Sequence, residues 1–475
     1  MKYLLVGCTG ALGQSILHNL LVNTKHYLVI AIREKNNKTI QQRIKYILSC
    51  VNLNYIEYKD RIKLIHCEYD EKRNIIIDDV DRSYILNHIE IFVNALADIN
   101  FNRELKKATL NNCATALYWL ELYNECEKVR QYTYVSTAFT GFHSGWSREA
   151  RRASPLRDTD LTSGTRATKS REARRDSDNE VCSDIKEELH IIPECGHTIE
   201  RCMNTYYDIE RGVIGDNDLR MSVFENSYTY TKNLTELLLA KNIRKGKLYI
   251  VRPSIIVSAI QEPYRGWGKF QTFNAIMLGI ISGKCLYYCF DYRNNVVNTV
   301  PVDMAANDCV RVLDDVDCLD VQGKLKILHS CLTHNSEKWN EEDLDLFSGI
   351  SDYIYKKFTN SPLVYQEKVI YPSKMLFFTS VYEYIYLLFV IIRQFILNVM
   401  NYGMYNAFCL IVKQLIFTWK YNQIFTPFSR KNCRFVRKDD IKEEYKMVTQ
   451  KQLLYDFIDN VPNLINDEQP SCLKI

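Results

Sequence analysis

Residues 2–13 read KYLLVGCTGALG, and this stretch decides the fold. Lys2 to Val6 is a short apolar run of strand length, and Ser15 to Leu21 carries apolar residues at helical spacing. Between them lies Gly7-Cys8-Thr9-Gly10-Ala11-Leu12-Gly13, a strand-to-helix turn with glycine at every third position. Gly7 and Gly10 remove side chains where the backbone must turn and approach a pyrophosphate. Gly13 lets helix and strand pack closely, and the helix N-terminus attracts the anion. Thr9, Ala11 and Leu12 complete a turn built to hold a dinucleotide.

The sequence beyond the turn repeats the pattern. Strands are expected at Tyr27 to Ile32, Lys63 to Cys67, Ile89 to Ala95, Gln131 to Val135 and Lys247 to Val251. Helices are expected around Ile40 to Leu48 and at Ala114 to Cys126. Strands alternating with helices imply an α/β chain with a Rossmann-type doubly wound parallel sheet. Ligands of such a sheet bind beyond the strands' carboxyl ends, where Ser136-Thr137 falls.

Two further stretches specify the chemistry. The second strand ends in Ile32-Arg33-Glu34-Lys35, where Arg33 and Lys35 can pair a ribose 2′-phosphate. That favours NADPH, while Glu34 keeps NAD open. Tyr228-Thr229-Tyr230-Thr231-Lys232 heads a helical stretch, and i, i+4 spacing puts Tyr228 and Lys232 on one face. A free tyrosine has a pKa of about 10, so donating a proton near neutrality needs a cation beside it. Tyr228 is therefore the expected general acid, Lys232 its cation and the holder of the nicotinamide ribose, and a hydroxyl at Ser136 or Thr137 completes the site.

The 475 residues, 47% hydrophobic, can bury a large core, and a net charge of +4 gives no field suited to nucleic acid. Sixteen cysteines scattered without CxxC pairing read as reduced intracellular thiols, not a metal site, and the N-terminus runs into a strand rather than a signal peptide. Residues 144–180 are rich in Arg, Ser, Thr and Asp, with SREARR at both Ser147 to Arg152 and Ser170 to Arg175. They are expected to form a disordered surface insertion, a basic docking patch being the alternative. Leu376 to Ile392 and Tyr405 to Trp419 are long apolar stretches that suit an interfacial helix pair or a span. The expected organisation is a reductase domain over 1–355 and a helical, membrane-associated domain over 360–475.

Taken together, the glycine turn, the Ser-Thr corner and the YxxxK helix resemble the extended short-chain dehydrogenases, and the text between them resembles the fatty acyl-CoA reductases. CTGALG is similar to that family's glycine motif, Arg33 and Lys35 to its basic residues, and Glu68 to an acid in its third strand. Val93 to Phe101, with Asn94, Ala95 and Ala97, resembles its apolar nicotinamide-side loop. Asn112 matches the asparagine of its NVxGT helix, although Thr115 replaces the glycine. Tyr134 to Phe139 is similar to VSTAY, with Thr137 as the catalytic hydroxyl, and Asn226 to Glu236 to NTYTxTKxxxE. Val251 to Ile255 is similar to VRPSI, with Pro253 at the cofactor. Glu262-Pro263 through Gly266-Trp267 and Pro301 to Met304 match two segments that a sugar epimerase or steroid dehydrogenase is not expected to carry.

The resemblance implies NADPH-dependent reduction of long-chain acyl-CoA to an aldehyde and on to an alcohol, at the cytosolic face of the endoplasmic reticulum or peroxisome. A hydroxysteroid dehydrogenase and a catalytically silent nucleotide-binding scaffold are the competing readings.

Overall fold

Val6 ends the first strand and Gly7 turns the chain with a φ of +93°, a left-handed conformation that favours glycine. The computed structural model describes residues 1–71, 73–141, 183–220, 223–268, 298–311, 325–332, 433–437 and scattered positions between 391 and 459. The expected insertion and most of the two long apolar stretches lie outside these residues.

Seven parallel strands form the sheet: β1 (Lys2–Val6), β2 (Tyr27–Ile32), β3 (Ile62–His66), β4 (Ile91–Asn94), β5 (Gln131–Val135), β6 (Lys247–Pro253) and β7 (Leu325–Ser330). Their order is β7-β6-β5-β4-β1-β2-β3. β1 pairs with β2 on one side, Val6 opposite Ala31, and with β4 on the other, Val6 opposite Asn94. The strand order reverses there, so a crevice opens beyond Val6 at the switch point.

Runs such as YLVIAI in β2 and Ile91 to Val93 in β4 are apolar because both sheet faces are covered. One face is packed by Ile16, Leu17 and Leu20 of α1 (Ala11–Asn23), together with a helix at Val302–Arg311. The opposite face takes Ile85, Trp119, Leu120 and Tyr123 from helices at Asp79–His88 and Thr115–Glu125. Beside them lies the helix Ser227–Asn242, capped by the Asn226 side chain, which accepts from the Thr229 N–H at 2.9 Å.

Two boundaries differ from the sequence reading. The helix expected to begin at Ala114 is preceded by a helical turn at Leu105–Thr109 and a π-turn at Leu110–Ala114. Glu68 does not belong to the third strand; it sits past it, in a two-residue strand paired antiparallel with Ile75–Ile76. β7 has no counterpart in the sequence reading. Nor does the pairing of Cys433–Phe435 alongside Ser183–Ile185, which buries Phe435 against Phe139. Asp308 clamps this late segment by a buried two-bond pair with Arg437, 2.7 Å each.

Among the described residues no helix is long and apolar enough to cross a membrane. Those described between 391 and 416 carry exposed Ile392, Ile396, Met400, Met404, Tyr405 and Phe408.

Candidate active site

The glycines of the turn answer three different demands. A Cβ on Gly13 would lie 2.1 Å from the Gly7 carbonyl oxygen, and one on Gly7 would lie 2.7 Å from the Ala95 carbonyl carbon. Helix packing requires the first, and the approach of β1 to the loop after β4 requires the second. Gly10 differs, since its Cβ would meet nothing nearer than the Gly7 oxygen at 3.7 Å. The fold leaves that space free above the first turn of α1, whose N-terminus has no side-chain cap. Uncapped N–H groups facing open space suit a phosphate anion.

One cavity of about 270 Å³ gathers most of the expected site: Gly10, Ala11, Leu12, Gly13, Ala95, Ser136, Thr137, Tyr228, Lys232 and Pro253 all line it. A second, of about 210 Å³, is lined by Thr9 and Lys35, with Gln14, Lys38 and Arg43. The residues thus fit a dinucleotide laid from a basic pocket, across the glycine turn, to a reactive chamber.

Tyr228 stands between Thr137 and Phe101. Thr137 and Tyr228 line the same cavity, and the Phe101 ring meets the Tyr228 ring edge-on with centroids 5.4 Å apart. Burial pushes the phenol's pKa well above the tyrosine range, and the neighbouring Thr137 hydroxyl opposes that rise. The expectation that Lys232 flanks and acidifies Tyr228 needs correcting. Lys232 is fully buried, and its Nζ donates to the Val135 carbonyl at 2.7 Å and the Tyr134 hydroxyl at 3.0 Å. Burial lowers its pKa to about 7, against the opposing pull of Glu236 and Cys113. Desolvation of the charged form outweighs that attraction.

Three other expected cofactor contacts are placed differently. Arg33 and Glu68 line neither cavity. The Arg33 guanidinium lies over the Tyr69 ring at 5.3 Å, and Glu68 pairs with His66 at 3.1 Å. Lys35 does face the basic pocket, where Arg43 takes the place expected of Arg33 and bonds the Arg33 carbonyl. Arg43 arrives there because Thr39 and Gln42 form a reciprocal capping box that starts its helix, Ile40–Ser49. Asn112 acts as a brace. Its Nδ2 donates to Thr231 Oγ1 at 3.0 Å, and its Oδ1 accepts from the Asp98 N–H at 2.8 Å. The π-turn that presents it ties the loop after β4 to the YxxxK helix.

The remaining motif segments bond to one another. Glu236 of the YxxxK helix and Arg252 of β6 form a fully buried two-bond pair at 2.6 and 3.0 Å. Arg252 also lies 3.3 Å from His190 Nε2 and 3.4 Å from His329 Nε2. Asp303 Oδ2 accepts from the N–H groups of Ile260, Gln261 and Glu262 at 2.8–3.2 Å, which joins the Pro301 to Met304 segment to the Glu262-Pro263 loop. Among the described residues, no group of three or more His, Cys, Asp or Glu side chains could hold a metal ion.

A family model described as male sterility protein matches residues 5–309. Mouse (Mus musculus) fatty acyl-CoA reductase 1 is 25% identical over 316 residues, covering 64% of this chain and 52% of its own. The probable fatty acyl-CoA reductase 5 of Arabidopsis thaliana is 24% identical over 324 residues, covering 64% and 61%. The chain spans about half the length of the curated relatives it matches. Among solved structures, the terminal R domain of the myxalamid PKS-NRPS biosynthetic pathway is similar, with a TM-score of 0.55 at 13% identity over 98% of this chain and 90% of that one. The reductase domain of a non-ribosomal peptide synthetase from Mycobacterium tuberculosis gives 0.54 at 12% identity over 98% and 92%. These two share the fold. The family match runs from β1 through the glycine turn, the Ser-Thr corner and the YxxxK helix to the Asp303 segment, and the chain belongs to the male sterility protein family, the fatty acyl-CoA reductases of the extended short-chain dehydrogenases.

Proposed function

We propose that this protein is an NADPH-dependent oxidoreductase that reduces long-chain acyl-CoA to the fatty aldehyde and on to the primary alcohol. One observation carries the reading: Thr137, Tyr228 and Lys232 line the same cavity as the glycine turn. The nicotinamide, when bound, supplies hydride.

Thr137 and Tyr228 present two hydroxyls to an acyl carbonyl, and hydrogen bonds aimed at its oxygen stabilise the charge that develops there. Tyr228 delivers the proton to that oxygen. Lys232, anchored to β5, contributes positive charge to the chamber and a donor for the ribose. The largely apolar walls, including Ile99, Phe101, Phe139, Ile255 and Val257, suit an acyl chain rather than a charged substrate.

Three cations, Lys35, Lys38 and Arg43, line the basic pocket, which supports a phosphorylated ribose and hence NADPH over NADH. The exposed apolar side chains between Ile392 and Phe408 support attachment to a membrane surface, where acyl substrates partition; the site proposed is the cytosolic face of an intracellular membrane.

The experiment is to supply the full chain with NADPH and palmitoyl-CoA and to follow NADPH oxidation and lipid products. Aldehyde or alcohol formation supports the reading. NADPH binding without turnover assigns a scaffold role, and turnover of a hydroxysteroid instead assigns the steroid dehydrogenase reading.

A further inference from the structure

The loop that follows β4, residues 95–104, gives every second residue of its first part to the main cavity: Ala95, Ala97, Ile99 and Phe101 all line it. Asp98 stands among them with a carboxylate whose side chain is 14% exposed. Its Oδ2 accepts from Arg103 Nε at 2.7 Å and from Asn111 Nδ2 at 2.6 Å, and its Oδ1 accepts from the Asn100 N–H at 3.1 Å. Asn111 belongs to the π-turn and Arg103 to the returning end of the loop, so one carboxylate closes the loop on the helical segment behind it. The Arg103 carbonyl in turn accepts from Ser227 Oγ at 2.7 Å, one residue before Tyr228.

Phe101 lies between Asp98 and Arg103, the two residues that are bonded to each other, and its ring meets Tyr228 edge-on. Apolar burial alone gives this stretch little hold, since Ile99 is 40% exposed, and an unanchored loop gains conformational entropy by leaving the wall. The polar anchor opposes that loss. Burial would raise the Asp98 carboxyl's pKa, but the bonds from Arg103, Asn111 and Asn100 more than offset it and hold the group below the usual carboxylate range. The carboxylate therefore stays ionised near neutrality, where charge-assisted bonds are the strong ones. A proton donor has to stand within hydrogen-bond reach of the oxygen it protonates, and the Phe101 ring limits the swing of the Tyr228 ring.

We propose that Asp98 is a positioning residue that, by fastening the loop through Arg103 and Asn111, holds the Phe101 ring against Tyr228 and so fixes the phenol for proton delivery. Only the last step, delivery to a carbonyl, rests on the proposed reductase reading.

The test compares Asp98→Asn, Arg103→Gln, Phe101→Ala and the combination of Asp98→Asn with Phe101→Ala in the full chain, with melting temperatures to check folding. Arg103→Gln breaks the same pair from its more exposed side and carries the test if Asp98→Asn does not fold. Nitration of Tyr228 by tetranitromethane in the ligand-free protein, located by peptide mass spectrometry, reads the cover on the ring without turnover. Asp98→Asn and Arg103→Gln are each expected to speed it by about threefold or more, because loss of an anchor opens the loop locally. With palmitoyl-CoA each should lose about tenfold or more, on kcat rather than KM, as a misplaced donor does. In the Phe101→Ala background Asp98→Asn should change neither quantity further, since its effect passes through that ring. Nitration at the wild-type rate, a loss confined to KM, or effects that multiply in the double variant would overturn the proposal. A wild-type protein that reduces no acyl-CoA defeats the reductase reading instead, while the nitration rates still decide whether Asp98 acts on Tyr228 through Phe101.

Discussion

Lys232 and Tyr134 are bonded to each other in the interior: the lysine Nζ lies 3.0 Å from the tyrosine hydroxyl and 4.5 Å from the centre of its ring. Tyr134 belongs to β5, the strand that leads directly into Ser136 and Thr137. One strand therefore positions the reactive hydroxyls and also fixes the cation of the YxxxK helix relative to them.

This anchor predicts a change in pH dependence for Tyr134→Phe. The hydroxyl accepts a bond from the ammonium and so stabilises its charged form. Without it the lysine loses its proton at lower pH, and the alkaline limb of the pH–kcat profile moves toward acid. Cys113, across from the same lysine, has its thiol pushed up to about 12 and so keeps its proton through this window, and Glu236 is paired with Arg252. A uniform loss at every pH would reduce Tyr134 to a packing residue.

Lys232→Met should abolish turnover yet stabilise the ligand-free protein. The folded lysine titrates at about 7, against an ordinary 10.5. Between those values the unfolded chain holds the proton that the folded chain has released. The group's contribution to stability therefore rises with pH through the window and is most unfavourable at or below its lower edge. Removing the amine should raise the melting temperature by ~2 °C or more at pH 7, and by less at pH 9. Thermal melts at the two pH values check this, and a gain no larger at pH 7 than at pH 9 contradicts it.

The glycine turn should divide by function. Gly13→Ala forces a Cβ onto the Gly7 carbonyl and is expected to destabilise the fold, as read by urea unfolding. Gly10→Ala meets no such obstacle, so its melting temperature should stay within ~2 °C of wild type. Its NADPH affinity should fall tenfold or more, since the methyl enters the space left for the pyrophosphate. Equal NADPH affinity in wild type and Gly10→Ala would show that this space serves something else.

Arg43→Ala should weaken NADPH by about tenfold or more and leave NADH nearly unchanged, because a charge-assisted bond to a phosphate is lost only where the phosphate exists. Equal losses for both nucleotides would move the 2′-phosphate elsewhere. Arg33→Ala is the control, its guanidinium being stacked on Tyr69.

The contrast between Arg33 and Arg43 marks what was legible in the sequence. The glycine turn, the strands from β1 through β6, the Ser-Thr corner and the Tyr228 and Lys232 spacing are local patterns, and the structure has them in the parallel sheet or lining the main cavity. Which arginine reaches the basic pocket depends on the chain reversal at Asn36 and Asn37, both in left-handed backbone, and on the helix that Thr39 caps. That geometry lies outside the strand-end motif. The bonds from Lys232 to Tyr134 and Val135 span nearly a hundred residues, and a one-helix reading of YxxxK places Lys232 beside Tyr228 instead. The pairing of Cys433–Phe435 with Ser183–Ile185 is more distant still, and short strands carry too little periodicity to announce a partner. Asn112, found by resemblance, proved to brace a loop, because its side-chain bonds go to Thr231 and Asp98.

The central claim is that Tyr228, which lines the cavity of the glycine turn together with Thr137, protonates the carbonyl oxygen. Its most direct test is the rate of NADPH oxidation with palmitoyl-CoA by wild type and Tyr228→Phe, with NADPH binding measured on both. A loss of about 10²-fold or more in kcat at unchanged NADPH affinity is the predicted result. Equal rates in the two proteins would contradict it.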